Sequence, residues 1–100
     1  MEIHWRNMDE IDATQRDAVE RRLQTLAEGN DDLIDLRIVA KPNSHHRHGG
    51  QEVNIACQAR GAEVIATRTG EDIGKALNEA IDAFVQEVRR LRGRRAEHRL

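Results

Sequence analysis

One hundred residues make one domain, with room for a modest core and none for a second. Charged residues make up 34% and only Trp5 and Phe84 are aromatic, so the surface is ionic and the core aliphatic. The net charge of −2 hides a split: residues 89–100 carry six Arg against one Glu, a net of +5, on a body with ten basic and seventeen acidic side chains. No apolar run is long enough to span a membrane, the N-terminus has no signal-peptide pattern, and the lone Cys57 cannot form an internal disulfide. A cytoplasmic, reduced setting is expected.

In residues 1–7, Met1, Ile3 and Trp5 alternate with Glu2, His4 and Arg6, the period of a half-buried strand. Asp12 then caps a helix, with Gln15 three residues on placed to complete a reciprocal cap. Val19, Leu23 and Leu26, bordered by Ala18 and Ala27, form its apolar stripe, and Gly29-Asn30 ends it. Arg16, Asp17, Glu20, Arg21 and Gln24 lie on the opposite, wet face.

A second strand is predicted over residues 33–41, with Ile34, Leu36, Ile38 and Ala40 facing in and Asp35, Arg37, Val39 and Lys41 facing out. Pro42 cannot donate to a ladder and marks its end. After the loop PNSHHRHGG, a third strand over residues 51–60 turns Val53, Ile55, Cys57 and Ala59 inward. Gly61-Ala62 turns the chain into a fourth strand over residues 63–69, with Val64 and Ala66 facing in.

The stretch 69–95 carries the longest stripe, Ile73, Ala76, Leu77, Ala80, Ile81, Phe84, Val88 and Leu91, at helical spacing. Thr69 and Asp72 form its capping box. Arg89, Arg90, Arg92, Arg94 and Arg95 crowd its other end, where cations suit the negative pole of the helix dipole. Gly93 is expected to loosen the helix, leaving residues 94–100 as a basic, flexible tail on a domain of residues 1–93.

The order β-α-β-β-β-α defines an α+β fold. A helical crossover joins parallel strands and short connections join antiparallel ones. The simplest solution is a mixed four-stranded sheet in order 1-2-3-4, with both helices on its one apolar face.

Glu10-Ile11 ahead of the first cap with Arg16 one turn in, Gly70-Glu71-Asp72-Ile73 leading to Ala76-Leu77, then Ile81-Asp82 and a basic helix end, occur in an informative order. Over residues 1–92 the chain resembles the ribosome hibernation-promoting factor and ribosome-associated inhibitor (protein Y, sigma-54 modulation protein) family, in its short form. The resemblance implies a domain like the double-stranded-RNA-binding domain with an added first strand. It also implies a stationary-phase, stress-response protein that binds the small ribosomal subunit, through 16S rRNA and channel-lining proteins, and blocks the mRNA and tRNA channel of idle ribosomes. The chain departs from relatives in carrying Ala83, Gln86 and Glu87 where mid-helix positions are often basic.

The paired N–H donors of guanidinium suit phosphate oxygens, so Arg89, Arg90, Arg92, Arg94 and Arg95 are the first rRNA-binding candidates. As exposed helix-end charges they are expected to add little stability. The resemblance adds Arg16 and Arg22, which match basic positions of relatives. Arg37 and Lys41 share a strand face, where ion pairs with Glu52 or Glu63 are the alternative, and Lys75 has Glu79 four residues on as a possible mate.

His45, His46 and His48 have the imidazoles of a metal site but no Cys to close one, so a loop without metal, sensitive to pH, is the simpler reading. Cys57 among inward apolar residues is an inert thiol, not a nucleophile. No phosphate-cradling glycine loop follows a strand, and nothing calls for a cofactor, a small-molecule substrate or catalysis. KH and RRM modules fit less well, because the sequence has no GxxG and no strand-face aromatic pair. From a different class, the alternative function is a small interaction domain that binds an acidic protein or itself.

Overall fold

The computed structural model describes residues 1–43 and 50–97. Its elements are β1 (Glu2–Arg6), α1 (Ala13–Ala27), β2 (Leu33–Asn43), β3 (Gly50–Ala59), β4 (Ala62–Gly70) and α2 (Ile73–Glu97). The strands form one mixed sheet in the order β1-β2-β3-β4. β1 runs parallel to β2, from Glu2 opposite Asp35 to Arg6 opposite Val39, and the other two pairings are antiparallel. At the β3–β4 turn Gly61 adopts φ +74, a left-handed conformation that costs a residue without Cβ little.

The period-two pattern decides which face is covered. Leu36, Ile38, Ala40, Val53, Ile55, Cys57, Ala59, Val64 and Ala66 are buried on one side of the sheet. They share a single cluster with Val19 and Leu23 of α1 and with Ala76, Leu77, Ala80, Ile81, Phe84, Val85 and Val88 of α2. Both helices therefore lie on this side, and the α+β architecture is the one the sequence predicts. The connection from β1 to α1 also contributes Met8 and Ile11, tied by a bond from the Ile11 N–H to the Met8 carbonyl.

Several local expectations are corrected. Leu33, not Ile34, begins the inward set of β2, because a register shift between Leu33 and Asp35 turns Ile34 out to 50% exposure. β2 also continues through Pro42, which pairs with Gln51 beyond the last β1 partner, Val39, where that edge of β2 has no neighbour and a missing N–H is tolerated. Thr69 is not a helix cap: it belongs to β4 opposite Glu52, and Asp72 alone caps α2, its side chain accepting from the Lys75 N–H at 3.2 Å.

Asp12 caps α1 as expected, accepting from the Gln15 N–H at 2.7 Å. The Gln15 side chain does not return that bond. Its amide donates instead to the Gly74 carbonyl at 2.9 Å and to Asn78 Oδ1 at 3.3 Å, joining the first turns of the two helices. A Cβ on Gly74 would sit 3.0 Å from Gln15 Oε1, so glycine permits this close approach. α2 runs unbroken through Gly93 to Glu97. Among the described residues no helix is long and apolar enough to cross a membrane.

Candidate nucleic-acid interface

The contacts between helices fix their direction. Gln15 meets Gly74 and Asn78, and one turn before the end of α1 the Arg22 guanidinium donates to Asp82 Oδ1 at 2.6 Å. Sequence position rises together along both, so α1 and α2 run side by side in the same direction. Their carboxyl ends, each the negative pole of a helix dipole, lie at the same end of the molecule and favour cations there. An open groove of about 630 Å³ between these ends is lined by Arg21, Arg22, Arg89 and Arg92 together with one carboxylate, Glu28, over a floor that includes Ala18, Leu26 and Val85.

These arginines are not equivalent. Arg92 donates from Nε and Nη2 to the two carboxylate oxygens of Asp32, at 2.8 and 2.9 Å. Among the described residues the pair is the least exposed ion pair, with side chains 23% and 12% exposed. The hydrogen bond from Arg92 is the main force holding the Asp32 carboxyl below its ordinary range, and the same bond raises Arg92 further. Arg95 donates to the Arg60 carbonyl at the β3–β4 turn. Arg92 and Arg95 thus moor the end of α2 to the sheet. By contrast, Arg21, Arg89 and Arg94 are exposed and make no ion pair among the described residues. Exposed guanidiniums with spare donors, on the carboxyl-terminal halves of two parallel helices, suit a phosphate chain.

The family model for sigma 54 modulation protein / S30EA ribosomal protein matches residues 1–96. The chain belongs to this family. S30EA members are ribosome-associated proteins and are not a family of enzymes. A ribosomal subunit interface protein from Coxiella burnetii is similar in structure, with a TM-score of 0.71 at 15% identity, over 93% of this chain and 99% of that one. The N-terminal domain of Thermus thermophilus Protein Y gives 0.64 at 24% identity, over 89% and 93%. At these identities the likeness establishes the fold alone. No curated protein is similar in sequence at a significant level.

Within this S30EA chain the predicted basic residues fall into separate places. Arg22, Arg89 and Arg92 share the groove, and Arg94 and Arg95 continue along the last turns of α2. Arg90 pairs with Glu87 at 2.8 Å. Lys75 lies in the first turn of α2, at the other end of the molecule, and makes no ion pair with Glu79. Arg16 lies over the Trp5 ring, 5.0 Å from its centroid, in a cation–π contact. Arg37 and Lys41 are exposed on the sheet face opposite the helices, Arg37 lying 3.5 Å from Asp35 on its own strand rather than pairing with Glu52 or Glu63.

Arg21 was not among the predicted contacts. Its helical spacing assigns it to the wet face of α1, and only the parallel placement of α2 turns that face toward Arg89. Cys57 is fully buried, and burial pushes its thiol up to about 11, in keeping with an inert role. His45, His46 and His48 lie outside the described residues.

Proposed function

We propose that this protein is a cytoplasmic, non-catalytic hibernation factor that binds the small ribosomal subunit and occupies the channel used by mRNA and tRNA. The observation that carries this reading is the family match over residues 1–96, nearly the whole chain. The helix-end groove supplies a chemical means. Arg21, Arg89 and Arg94 have donors to spare for rRNA phosphates, Arg22 can exchange its exposed bond to Asp82 for a phosphate, and the rigid α+β body excludes mRNA and tRNA by bulk. Arg16, Arg37, Lys41, Lys75, Arg90, Arg92 and Arg95 are secondary in this scheme, because they are already engaged or lie away from the groove.

Translation by purified ribosomes in a defined mixture tests the proposal. Near-stoichiometric protein should inhibit, and excess mRNA and tRNA should relieve the inhibition. The protein should also co-sediment with small subunits at about physiological salt, with log affinity falling by roughly 0.7 to 0.9 per log unit of salt for each phosphate contact. Full translation in saturating protein refutes it, and binding to an acidic protein without ribosome binding would point to an interaction domain instead.

A further inference from the structure

The sheet face turned away from the helices carries a group of side chains that lies outside the helix-end groove. Glu2 and His4 lie two residues apart on β1, and therefore on the same side of the strand. The parallel register sets Asp35 of β2 opposite Glu2. His4 Nε2 lies 2.8 Å from Asp35 Oδ1 and 3.4 Å from Glu2 Oε2. One ligand atom from each of the three side chains falls within 4.8 Å of the others.

A second observation comes from the hydrogen bonding. Asp35 Oδ1 is shielded from water yet has no hydrogen-bond partner, since its close approach to His4 Nε2 does not have hydrogen-bond geometry. Shielded carboxylate oxygens are normally satisfied, and a metal ion bound by both groups would satisfy this one. Arg37 Nε sits 3.5 Å from the other oxygen, Oδ2, and leaves Oδ1 to face His4.

We propose that Glu2, His4 and Asp35 form a zinc-binding site that clips β1 to β2. Zinc takes imidazole nitrogen and carboxylate oxygen at about 2.0–2.2 Å in tetrahedral sites, so its ligand atoms lie about 3.4 Å apart. The His4–Glu2 separation already has this value, and the shorter His4–Asp35 contact reaches it by a small side-chain rotation. Two carboxylates balance the charge of the ion, and the exposed side of the cluster leaves the fourth position to water. Binding requires the unprotonated Nε2 lone pair, so any ring proton there moves to Nδ1 or to solvent. Arg6, Arg37 and Lys41 are cations on the same face, and they limit affinity without occupying a ligand position. A mixed nitrogen and oxygen set containing imidazole favours zinc over magnesium or calcium.

The test uses full-length protein with His45, His46 and His48 changed to Ala, so that loop imidazoles do not bind the probe. Calorimetric titration with zinc chloride should give one ion per chain, and zinc should raise the melting temperature because it binds the folded arrangement of two strands. His4→Gln or Glu2→Gln, both at exposed positions, should weaken zinc binding by about tenfold or more and abolish the thermal shift. Magnesium and calcium should produce no shift. Equal zinc binding with and without His4→Gln, or none in the parent, would overturn the assignment and leave His4 as an ion-pair partner of the two carboxylates.

Discussion

Arg92 is read from the sequence as a phosphate contact, whereas the structure makes it a mooring of the fold, and the two roles predict opposite results for Arg92→Ala. Exposed ion pairs contribute about 0–1 kcal/mol, whereas breaking a buried pair costs about 3–5 kcal/mol. The Arg92–Asp32 pair lies between these limits, with side chains 23% and 12% exposed and both carboxylate oxygens bonded. Arg92→Ala strands a largely desolvated carboxylate, and a loss of about 2–3 kcal/mol is expected. For a domain of this size that lowers the melting temperature by roughly 10–20 °C. Arg89→Ala, on an exposed guanidinium, should stay within about 0.5 kcal/mol.

Urea unfolding of Asp32→Ala, Arg92→Ala and the double variant measures the coupling, which should be about 1–3 kcal/mol, with the double variant less damaged than the sum of the singles. The pH dependence carries the same signature. Because the folded carboxyl of Asp32 is depressed, its contribution is present above the unfolded value near pH 4 and is lost as pH falls through the lower folded value. The penalty of Arg92→Ala should therefore shrink toward acid. If Arg92→Ala and Arg89→Ala unfold at the same urea concentration at neutral pH, the mooring role is wrong.

Phe84 is fully buried between α2 and the sheet, and Phe84→Ala should cost about 3–5 kcal/mol, read from the urea midpoint; a loss under about 1 kcal/mol would contradict the packing. The Cys57 thiol should react slowly with a maleimide in the native protein and rapidly in denaturant, and rapid native labelling would mean that β3 presents its other face. Charge reversal at Arg21 and Arg89 together should abolish co-sedimentation with small subunits while leaving the melting temperature nearly unchanged. Their replacement by Ala should flatten the salt slope by about 1.4 to 1.8 units. Unaltered ribosome binding in both variants would remove the groove from the interface.

The layers of the fold were legible because alternation and helical spacing extend over many residues, so a local error does not change the face assigned to an element. Ile34 shows the limit. Leu33 and Ile34 are equally apolar, and only the register shift against β3 decides which of them turns inward. Thr69 and Asp72 both suit a cap, and pairing with Glu52 draws Thr69 into β4. Gln15 has the right residue type and spacing for a reciprocal cap, yet its amide finds a carbonyl on the other helix. Each of these outcomes depends on a partner distant in sequence.

The same holds for the basic residues. Arginine content marked the carboxyl end of α2, but spacing alone could not separate Arg92, which has Asp32 across the fold, from Arg89, which has no such mate among the described residues. Arg21 became visible only through the relative direction of the helices.

That shared direction also sets how the molecule meets a charged surface. Asp9, Glu10 and Asp12 precede or cap the start of α1, and Glu71 and Asp72 do the same for α2, so one pole of the protein is acidic. The opposite pole carries Arg21, Arg22, Arg89 and Arg94, interspersed with Glu28, Asp31 and Glu87. With a net charge of only −2, the long-range force between the whole molecule and a polyanion is weak. The separation of charge along its axis produces a torque instead, turning the arginine pole forward and the carboxylates to the rear during diffusion. Fewer encounters are then spent in wrong orientations, and the benefit fades as salt shortens the reach of the field to about 8 Å at physiological strength. On the proposed function, an acidic protein of this design would approach a nucleic acid by alignment, where a uniformly basic one would rely on attraction.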